Sequence, residues 1–407
     1  MLGLGTLVPG GGLKIEEART YSGPVRDNQK IGPGELLVAL TDLTQEGIIL
    51  GSPGLVPASS DAEFVVSTDV ARVYLTDPKR LDVRFLYYLM QGREFREYAR
   101  GVSTGTTVRR VSPGDILAFH TRLPPYPEQR AIAHVLGSLD DKIGLNHRMN
   151  QTLEEICRAL FKFWFVDFGP ARAKADGRWK KGQSLPGMPA EMWDLWPSEF
   201  EESEIGEIPK GWEIEPVSSI AEVNPERRLA KGDVAPYVEM GHLPISSARV
   251  DGWVERAYAS GSRFKNGDVL VARITPCLEN GKTAYVDFLR ASQIGWGSTE
   301  FLVLSAKAPL PSQWMYCLAR TDDFRAHLIQ NMTGTSGRQR APAECLESFM
   351  VAVPTDEVAE RFGQLVVPWF ERLKANDGES STLTAARDAL LPKLLSGELR
   401  VPFEGGA

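Results

Sequence analysis

The chain has 407 residues, with 46 Lys plus Arg against 53 Asp plus Glu and a formal net charge of −7. Its length suits two or three domains, and 43% hydrophobic with 24% charged residues is the composition of globular proteins rather than of disordered chains or rods. No stretch approaches about 18 consecutive apolar residues, and the glycine-broken start lacks a basic leader. We therefore predict neither a membrane span nor a secretory signal, and we expect a cytoplasmic protein.

Residues 1–125 predict a strand-rich globular unit. The apolar run from Gly34 to Ala39 follows a glycine turn and indicates a buried strand. Further along, residues 98–114 contain no carboxylate and three arginines, namely Arg100, Arg109 and Arg110. In an acidic chain this segment is a local signal for nucleic-acid binding, and solvated loop charge is the alternative.

A long helix is predicted over residues 126–168. It opens at Pro127-Glu128-Gln129, with a proline and a carboxylate where helix starts prefer them. A spacing of alternate threes and fours predicts a coiled-coil seam of Ile132, Val135, Leu139, Ile143, Asn146, Asn150, Leu153, Cys157 and Leu160. Asparagines within a seam are typical of helices that select one register and one partner. At about 1.5 Å per residue such a helix would span about 60 Å, which favours a spacer, and core packing in an ordinary bundle is the alternative.

The second half of the chain follows the same order after a connection. Residues 169–210 are rich in Gly, Pro, Lys and Glu without periodicity, and they predict a surface linker. Residues 211–354 predict a second strand-rich unit, whose residues 324–343 again contain no carboxylate and three arginines, Arg325, Arg338 and Arg340. A second helix is predicted over 355–399, with a polar break at residues 376–380 and a seam of Val358, Phe362, Leu365, Trp369 and Leu373.

An internal repeat relates the two halves. At a constant offset of 229, Phe95-Arg96, Thr104-Gly105-Thr106, Arg109, Pro113 and Leu117 return as Phe324-Arg325, Thr333-Gly334-Thr335, Arg338, Pro342 and Leu346. The strand at residues 34–39 has its counterpart at 267–272. Each half therefore predicts a strand-rich unit followed by a long helix, and the whole chain predicts an α+β fold with an internal repeat.

Patterns typical of catalysis and metal binding are incomplete. Leu123-Pro124-Pro125-Tyr126 resembles the Asn/Asp-Pro-Pro-Tyr tetrad of amino-group DNA methyltransferases, but a leucine cannot hydrogen-bond the amino group of a flipped base. Asp268, Glu279 and Lys282 supply the residue types of a metal nuclease, with the glutamate and lysine one position too far apart. No phosphate-binding glycine loop is complete, and neither the four cysteines nor the five histidines have ligand spacing. We predict reduced thiols, no metal and no catalysis by this chain alone.

The segment from Leu123 to Ile143, with Trp164-Phe165-Val166-Asp167-Phe168, closely resembles the central conserved region of the specificity (S) subunits of type I restriction-modification enzymes. Two further blocks are similar to that family. Residues 203–212 resemble its entry to the second target-recognition domain, and residues 387–399 resemble its distal conserved end. Together these blocks frame nearly the whole chain.

The resemblance implies that residues 1–125 and 211–354 are two target-recognition domains, each recognising one half of a bipartite DNA site. It implies that the helices at 126–168 and 355–399 run antiparallel, hold the domains apart and dock two modification (methyltransferase) subunits. Restriction subunits, which use ATP to translocate and cut DNA, would complete a system of defence against foreign DNA. No cofactor is expected on this chain, and S-adenosylmethionine, ATP and Mg²⁺ are expected on the partner subunits.

DNA contacts are expected from the arginine segments and from polar side chains near them. Arginine can donate two hydrogen bonds to guanine, and the glycine-threonine turns suit either a phosphate contact or pure turn chemistry. The candidates in the first domain are Thr104, Thr106, Arg109 and Arg110. Those in the second domain are Arg273, Lys282, Thr333, Thr335, Arg338, Gln339 and Arg340.

The first domain is predicted to be shortened at its amino end. Gly211-Trp212 lies 56 residues before Gly267, whereas 33 residues precede Gly34 and contain no Gly-Trp pair. A late start, a truncated coding sequence and a degenerate first half all remain open. The leading hypothesis is a DNA-specificity subunit, and the alternative is a degenerate subunit that acts as an adaptor or recognises only one half-site.

Overall fold

Two long helices, Tyr126–Phe161 and Asp356–Ser396, each contribute to two folding units of the chain. The first unit contains Met1–Leu145 and the chain from Glu379 onward, and the second contains Asn146–Gly378. The computed structural model describes residues 1–44, 46–57, 63–335 and 337–402. In this part of the chain, no helix is long and apolar enough to cross a membrane.

The first unit is built from short elements. Its strands are β1 (Lys30–Ile31), β2 (Leu36–Ala39), β3 (Thr41–Asp42), β4 (Pro53–Leu55), β5 (Phe64–Val65), β6 (Val70–Val73) and β7 (Arg109–Arg110). Its helices are α1 (Val83–Gln91), α2 (Arg93–Gly101), α3 (Pro113–Leu117) and the start of α4 (Tyr126–Phe161). β2 lies between β4 and β6 in an antiparallel sheet, while β1 pairs with β5 and β3 with β7.

The second unit contains larger sheets. Its strands are β8 (Phe200–Ser203), β9 (Gly206–Pro209), β10 (Glu213–Pro216), β11 (Ala221–Val223), β12 (Val234–Val238), β13 (Val254–Ala257), β14 (Ser262–Phe264), β15 (Val269–Ala272), β16 (Thr283–Tyr285), β17 (Gly295–Gly297), β18 (Phe301–Ala306) and β19 (Met350–Val353). Its helices are α5 (Gly169–Ala175), α6 (Val217–Ile220), α7 (Ser312–Ala319), α8 (Asp322–Gln330) and the start of α9 (Asp356–Ser396). One sheet has the order β11-β18-β15-β16 and another the order β13-β12-β17-β14.

The strands β2 and β15 are buried on both faces, which explains their continuous apolar sequences. In β2, Leu37 packs into one hydrophobic cluster of the first unit and Leu36 into another. In β15, Val271 and Leu270 likewise pack into different clusters of the second unit. Each strand therefore joins two cores within its own unit.

The turns before these strands repeat in atomic detail. The Glu35 carboxylate accepts a hydrogen bond from the Gly32 amide at 2.6 Å, and the Asp268 carboxylate accepts one from the Lys265 amide at 2.7 Å. Both carboxylates also pair with an arginine of their own unit, Glu35 with Arg72 and Asp268 with Arg227. The sequence repeat thus corresponds to a structural repeat.

The helix predicted over residues 355–399 corresponds to α9, which runs without interruption from Asp356 to Ser396 and includes the polar residues 376–380. Asn376 is 1% exposed, and its Nδ2 donates to Asn150 Oδ1 at 2.8 Å. The buried polar side chain of Asn376 therefore has a hydrogen-bond partner on the other long helix, α4. Gly378 alone costs a helix only about 1 kcal/mol. The first helix was predicted to end at residue 168, and α4 instead passes into a π-helical turn at Lys162–Val166.

The prediction of a surface linker at residues 169–210 is wrong. Trp179, Met192 and Trp196 of this segment are buried in the core of the second unit. The ring of Trp196 lies 5.5 Å from that of Trp164 and 5.7 Å from that of Trp212. Proline and glycine prevent regular structure in this segment, but its indole side chains bury enough apolar surface to fix it to the core.

Replacing Trp196 by alanine should strongly destabilise the second unit. Loss of a buried indole leaves a cavity and should lower the free energy of unfolding by about 3–5 kcal/mol. Trp253→Ala is the matched control, because Trp253 is 44% exposed and stacks only on Phe288 among the described aromatic rings. Its loss should cost about 1 kcal/mol. Urea unfolding followed by circular dichroism measures both, and equal midpoints would contradict the placement of Trp196 in the core.

Candidate nucleic-acid interface

The first arginine loop, residues 103–111, is closed by paired backbone hydrogen bonds between Thr104 and Arg110 at 2.9 and 2.8 Å. Gly105 turns this loop with a φ of 95°, and a Cβ there would lie 2.2 Å from the carbonyl oxygen of Val108. Only glycine fits such a turn. The turn leaves the side chains of Thr104, Thr106 and Arg110 exposed.

Arg109 differs from its neighbour Arg110. It is half-buried, and its Nη2 donates to the carbonyl of Arg100 at 3.3 Å. The short strand β7 that carries both arginines pairs with β3, where Arg110 lies opposite Thr41. Arg110 is therefore the freer of the two guanidinium groups for contact with a ligand.

The second arginine loop, residues 332–341, has the same closure. Thr333 and Arg340 exchange backbone hydrogen bonds at 3.0 and 2.9 Å, and Gly334 has a φ of 118°. Thr333, Thr335 and Arg338 are exposed. The equivalent threonine, glycine and arginine positions thus support one backbone design in both units.

A shared carboxylate organises two arginines beside the second loop. Arg340 Nε lies 2.9 Å from both carboxylate oxygens of Glu300, and Arg273 Nε lies 3.5 Å from one of them. The backbone amide of Thr275 donates to the carbonyl of Gln339, which fixes the loop beside residues 273–275. The structure therefore places Arg273, Gln339 and Arg340 together, with one carboxylate neutralising part of their charge.

Lys282 is placed differently from the other candidates. It is half-buried, and its Nζ donates to the carbonyl of Met240 at 2.8 Å. It is the last residue of the connection between β15 and β16, whereas Arg273 is the first. Lys282 therefore has fewer donors free for DNA than Arg338 has.

In the first unit, the start of α4 packs against the end of α9. Glu128 accepts from Arg400 at 2.7 Å and Asp140 from Arg387 at 2.7 Å, so the two chain segments run antiparallel. Of the predicted seam residues here, Ile132 is buried, and Val135, Leu139 and Ile143 are half-buried. Ala133 and Leu136, which were not predicted, are buried beside Ile132. The apolar face is therefore wider than a strict seam, because α1 also packs against it.

In the second unit, the predicted seam asparagines bond to α9. Asn146 Nδ2 donates to the carbonyl of Asn376 at 3.3 Å, and Asn150 Nδ2 donates to Asp377 Oδ1 at 2.7 Å. Asp377 also pairs with Arg249, which binds Asp287 at 2.6 Å. Although burial opposes it, hydrogen bonds to these two aspartates raise the pKa of Arg249. The polar network therefore connects both helices with a loop of the second unit.

The buried stripe of α9 in the second unit departs from the predicted spacing. Phe362 and Leu373 are buried as predicted, but Val366 and Phe370 are buried more deeply than Leu365 and Trp369. On α4, Leu153 and Leu160 are half-buried, whereas Cys157 and Phe161 are fully buried. The reason is that both helices pack against α7 as well as against each other, as the contact between Phe161 and Trp314 illustrates.

A buried charged group between α4 and α7 was not among the residues predicted from the sequence. Glu154 accepts a 2.7 Å hydrogen bond from the Tyr316 hydroxyl and lies 3.6 Å from Arg320. Burial raises the pKa of Glu154, while Tyr316 and Arg320 act in the opposite direction. One glutamate on a charged helix carries no sequence signal, because its neighbour Glu155 looks the same and is exposed.

Residues 20–155 match the model of a family described as "Type I restriction modification DNA specificity domain". The chain is 26% identical over 328 residues to the "Type I restriction enzyme MjaIX specificity subunit" of Methanocaldococcus jannaschii, covering 78% of this chain and 69% of that protein. It is also 26% identical over 367 residues to the "Type I restriction enzyme HindI specificity subunit" of Haemophilus influenzae, covering 77% of each. The crystal structure of the S subunit of a type I restriction-modification system from M. genitalium shares the fold, with a TM-score of 0.51 at 16% identity over 97% of this chain and 91% of that one.

Glu154→Gln should destabilise the second unit while Glu155→Gln should not. The first substitution removes the buried carboxylate that faces Arg320, and breaking such a pair should lower the free energy of unfolding by about 3–5 kcal/mol. The second removes an equal charge from the exposed face of the same helix turn. Urea unfolding of both variants and the parent gives the comparison, and equal midpoints for the two variants would contradict a stabilising role for Glu154.

Proposed function

This chain belongs to the specificity subunits of type I restriction-modification enzymes, and on that premise we propose that each of its two units recognises one half of a bipartite DNA site. The observation that carries the proposal is the duplicated arginine loop. Each unit presents one copy, closed by the same backbone hydrogen bonds and turned by a positive-φ glycine. Two similar loops that differ in side chains suit two different half-sites.

Positions that are identical in the two loops and positions that differ have different roles in this proposal. Residues that are identical in both copies, such as Thr104 and Thr333, suit contacts to the phosphate backbone, which is the same at every sequence. Differing positions suit base recognition, and the loops differ just before the arginine that closes them, where the first loop has Arg109 and the second has Arg338 and Gln339. Arginine pairs well with guanine and glutamine with adenine in the major groove.

Glu300 orients the base-contacting groups of the second unit. Both of its oxygens contact the Arg340 guanidinium, and Arg273 lies at the same carboxylate. An arginine that is held in this way loses less side-chain entropy when it binds a base. Arg338, which is exposed beside this group, adds a donor that can reach a groove or a phosphate.

The long helices set the spacing of the half-sites and dock two modification subunits. The antiparallel contacts of α4 and α9 leave exposed faces on both helices within each unit. The chain contributes recognition, and the modification and restriction subunits contribute methyl transfer, ATP-driven translocation and cleavage. S-adenosylmethionine, ATP and Mg²⁺ accordingly bind to those partners.

A net charge of −7 is compatible with DNA binding in such an assembly. Phosphate contacts supply much of the affinity of a protein for DNA, and partner subunits can make most of them. Base recognition requires only a few donors in defined positions. The arginine loops supply such donors without making the whole chain basic.

The function is tested by co-expressing the chain with its cognate modification subunit and mapping methylated adenines in host DNA. We expect a single split motif with two defined halves, because each unit recognises its own sequence. Methylation of a palindrome built from one half would show that the first unit is inactive and that two second units pair. Absence of methylation, despite a complex that can be purified, would favour the degenerate adaptor.

Arg338→Ala and Arg110→Ala should each relax recognition of one half-site. Loss of a direct base contact should weaken binding of the cognate duplex by about 1–3 kcal/mol, which is roughly fivefold to 150-fold. Competition with duplexes altered in one half at a time measures the base preference of each variant complex. Arg178→Ala is the control, because Arg178 is exposed and paired with Asp176 outside both loops. Equal effects of each loop variant on both half-sites would contradict the assignment.

A further inference from the structure

A cavity of about 240 Å³ lies at the corner between α7 and α8 in the second unit. Its polar lining includes Arg158, Asn280, Thr283, Arg320, Asp322 and Arg325. The three arginines come from α4, from the end of α7 and from α8. Elements that are distant in sequence thus bring guanidinium groups to one cavity.

Positive charge is in excess around this cavity. Arg320 lies near Glu154, and Arg325 Nη2 lies 2.6 Å from Asp322. Three guanidinium groups therefore face two carboxylates, and the ion pair of Arg325 with Asp322 is largely exposed. A ligand with one negative charge would balance the site.

The internal repeat shows that Arg325 is free from the structural role of its counterpart. In the first unit, the equivalent Arg96 is 7% exposed and donates to the carbonyls of Leu50 and Ile48. In the second unit, Arg320 rather than Arg325 donates to loop carbonyls, those of Gly281 and Ile245, at 3.1 and 2.7 Å. Because Arg320 holds the loop, the Arg325 side chain remains 40% exposed at the cavity.

The connection between β15 and β16 contacts both the cavity and the second arginine loop. At one end of this connection, Ile274 pairs with Arg340 of the arginine loop. At its other end, Leu278, Asn280 and Gly281 line the cavity. An anion held in the cavity therefore lies beside the surface that we assign to base recognition.

We propose that this cavity binds one backbone phosphate of the DNA next to the half-site recognised by the second unit. The inference rests on the proposed function. The planar fork of Arg325 can donate two parallel hydrogen bonds to a phosphodiester, and Arg158 adds a second cation from α4. A phosphodiester carries the single negative charge that the site lacks. The contact positions the duplex and carries no base preference.

Binding of the purified complex of this chain and its modification subunit to its cognate duplex tests the proposal. The parent is compared with Arg325→Gln, Arg325→Lys and the control Arg178→Gln, and each phosphate is replaced in turn by a neutral methylphosphonate. Arg325→Gln should weaken binding about tenfold and lower the slope of log K against log salt by about 1. Arg325→Lys should restore the salt slope, and Arg178→Gln should leave both quantities unchanged.

The methylphosphonate series identifies the phosphate. At one position the replacement should weaken binding by the parent about tenfold but have no further effect on Arg325→Gln, because the contact is already lost. If Arg325→Gln keeps the parent's salt slope and its sensitivity at every phosphate, the cavity holds no phosphate. A changed base preference, or loss of the modification subunit from the purified complex, would equally overturn the inference.

Failure of the proposed function is distinguishable from failure of this inference. If the parent complex binds the methylated motif no better than scrambled DNA at moderate salt, the proposed function fails first. If the parent discriminates but Arg325→Gln behaves like Arg178→Gln, only the phosphate site is rejected. Thermal unfolding of the variants shows whether a weakened complex is still folded.

Discussion

Antiparallel contact between α4 and α9 is the constraint on which the structure of each unit depends. In the first unit it is made through Asp140 with Arg387 and through the apolar residues around Leu136. In the second unit it is made through Asn150 with Asn376 and through Phe161 with Phe362. Each unit takes a segment from both helices, and the first unit therefore combines two separate stretches of chain, Met1–Leu145 and the chain from Glu379 onward.

The helix contact combines two kinds of interaction. Apolar burial supplies most of the stabilisation but permits sliding by a turn, since one leucine can replace another. The asparagine network does not permit such sliding, because a shift would leave buried amide groups without partners. Arg249 extends this selectivity from the helices to the body of the second unit through Asp287 and Asp377.

In the arginine loops, the groups that hold the fold differ from the side chains that are available for recognition. Backbone hydrogen bonds and a positive-φ glycine hold each loop, and neither depends on the exposed side chains. Side chains at the tip can therefore change without loss of the fold, which suits a protein whose relatives are named as specificity subunits of different enzymes. The same duplication allowed Arg96 and Arg325 to diverge, one bonding buried carbonyls and the other facing a cavity.

The amino-acid sequence by itself determined the family, the internal repeat, the two long helices and the glycine turns of the arginine loops. These features depend on local spacing and on residues close together in the chain, so they can be recognised without coordinates. Tertiary structure alone decided that Trp179 and Trp196 enter the core, that α9 continues through Asn376, and that Glu154 rather than Glu155 is buried. It also decided that Glu300 joins Arg273 to Arg340. Burial and pairing of polar side chains depend on partners more than a hundred residues away in several of these cases, and no local pattern encodes such partners.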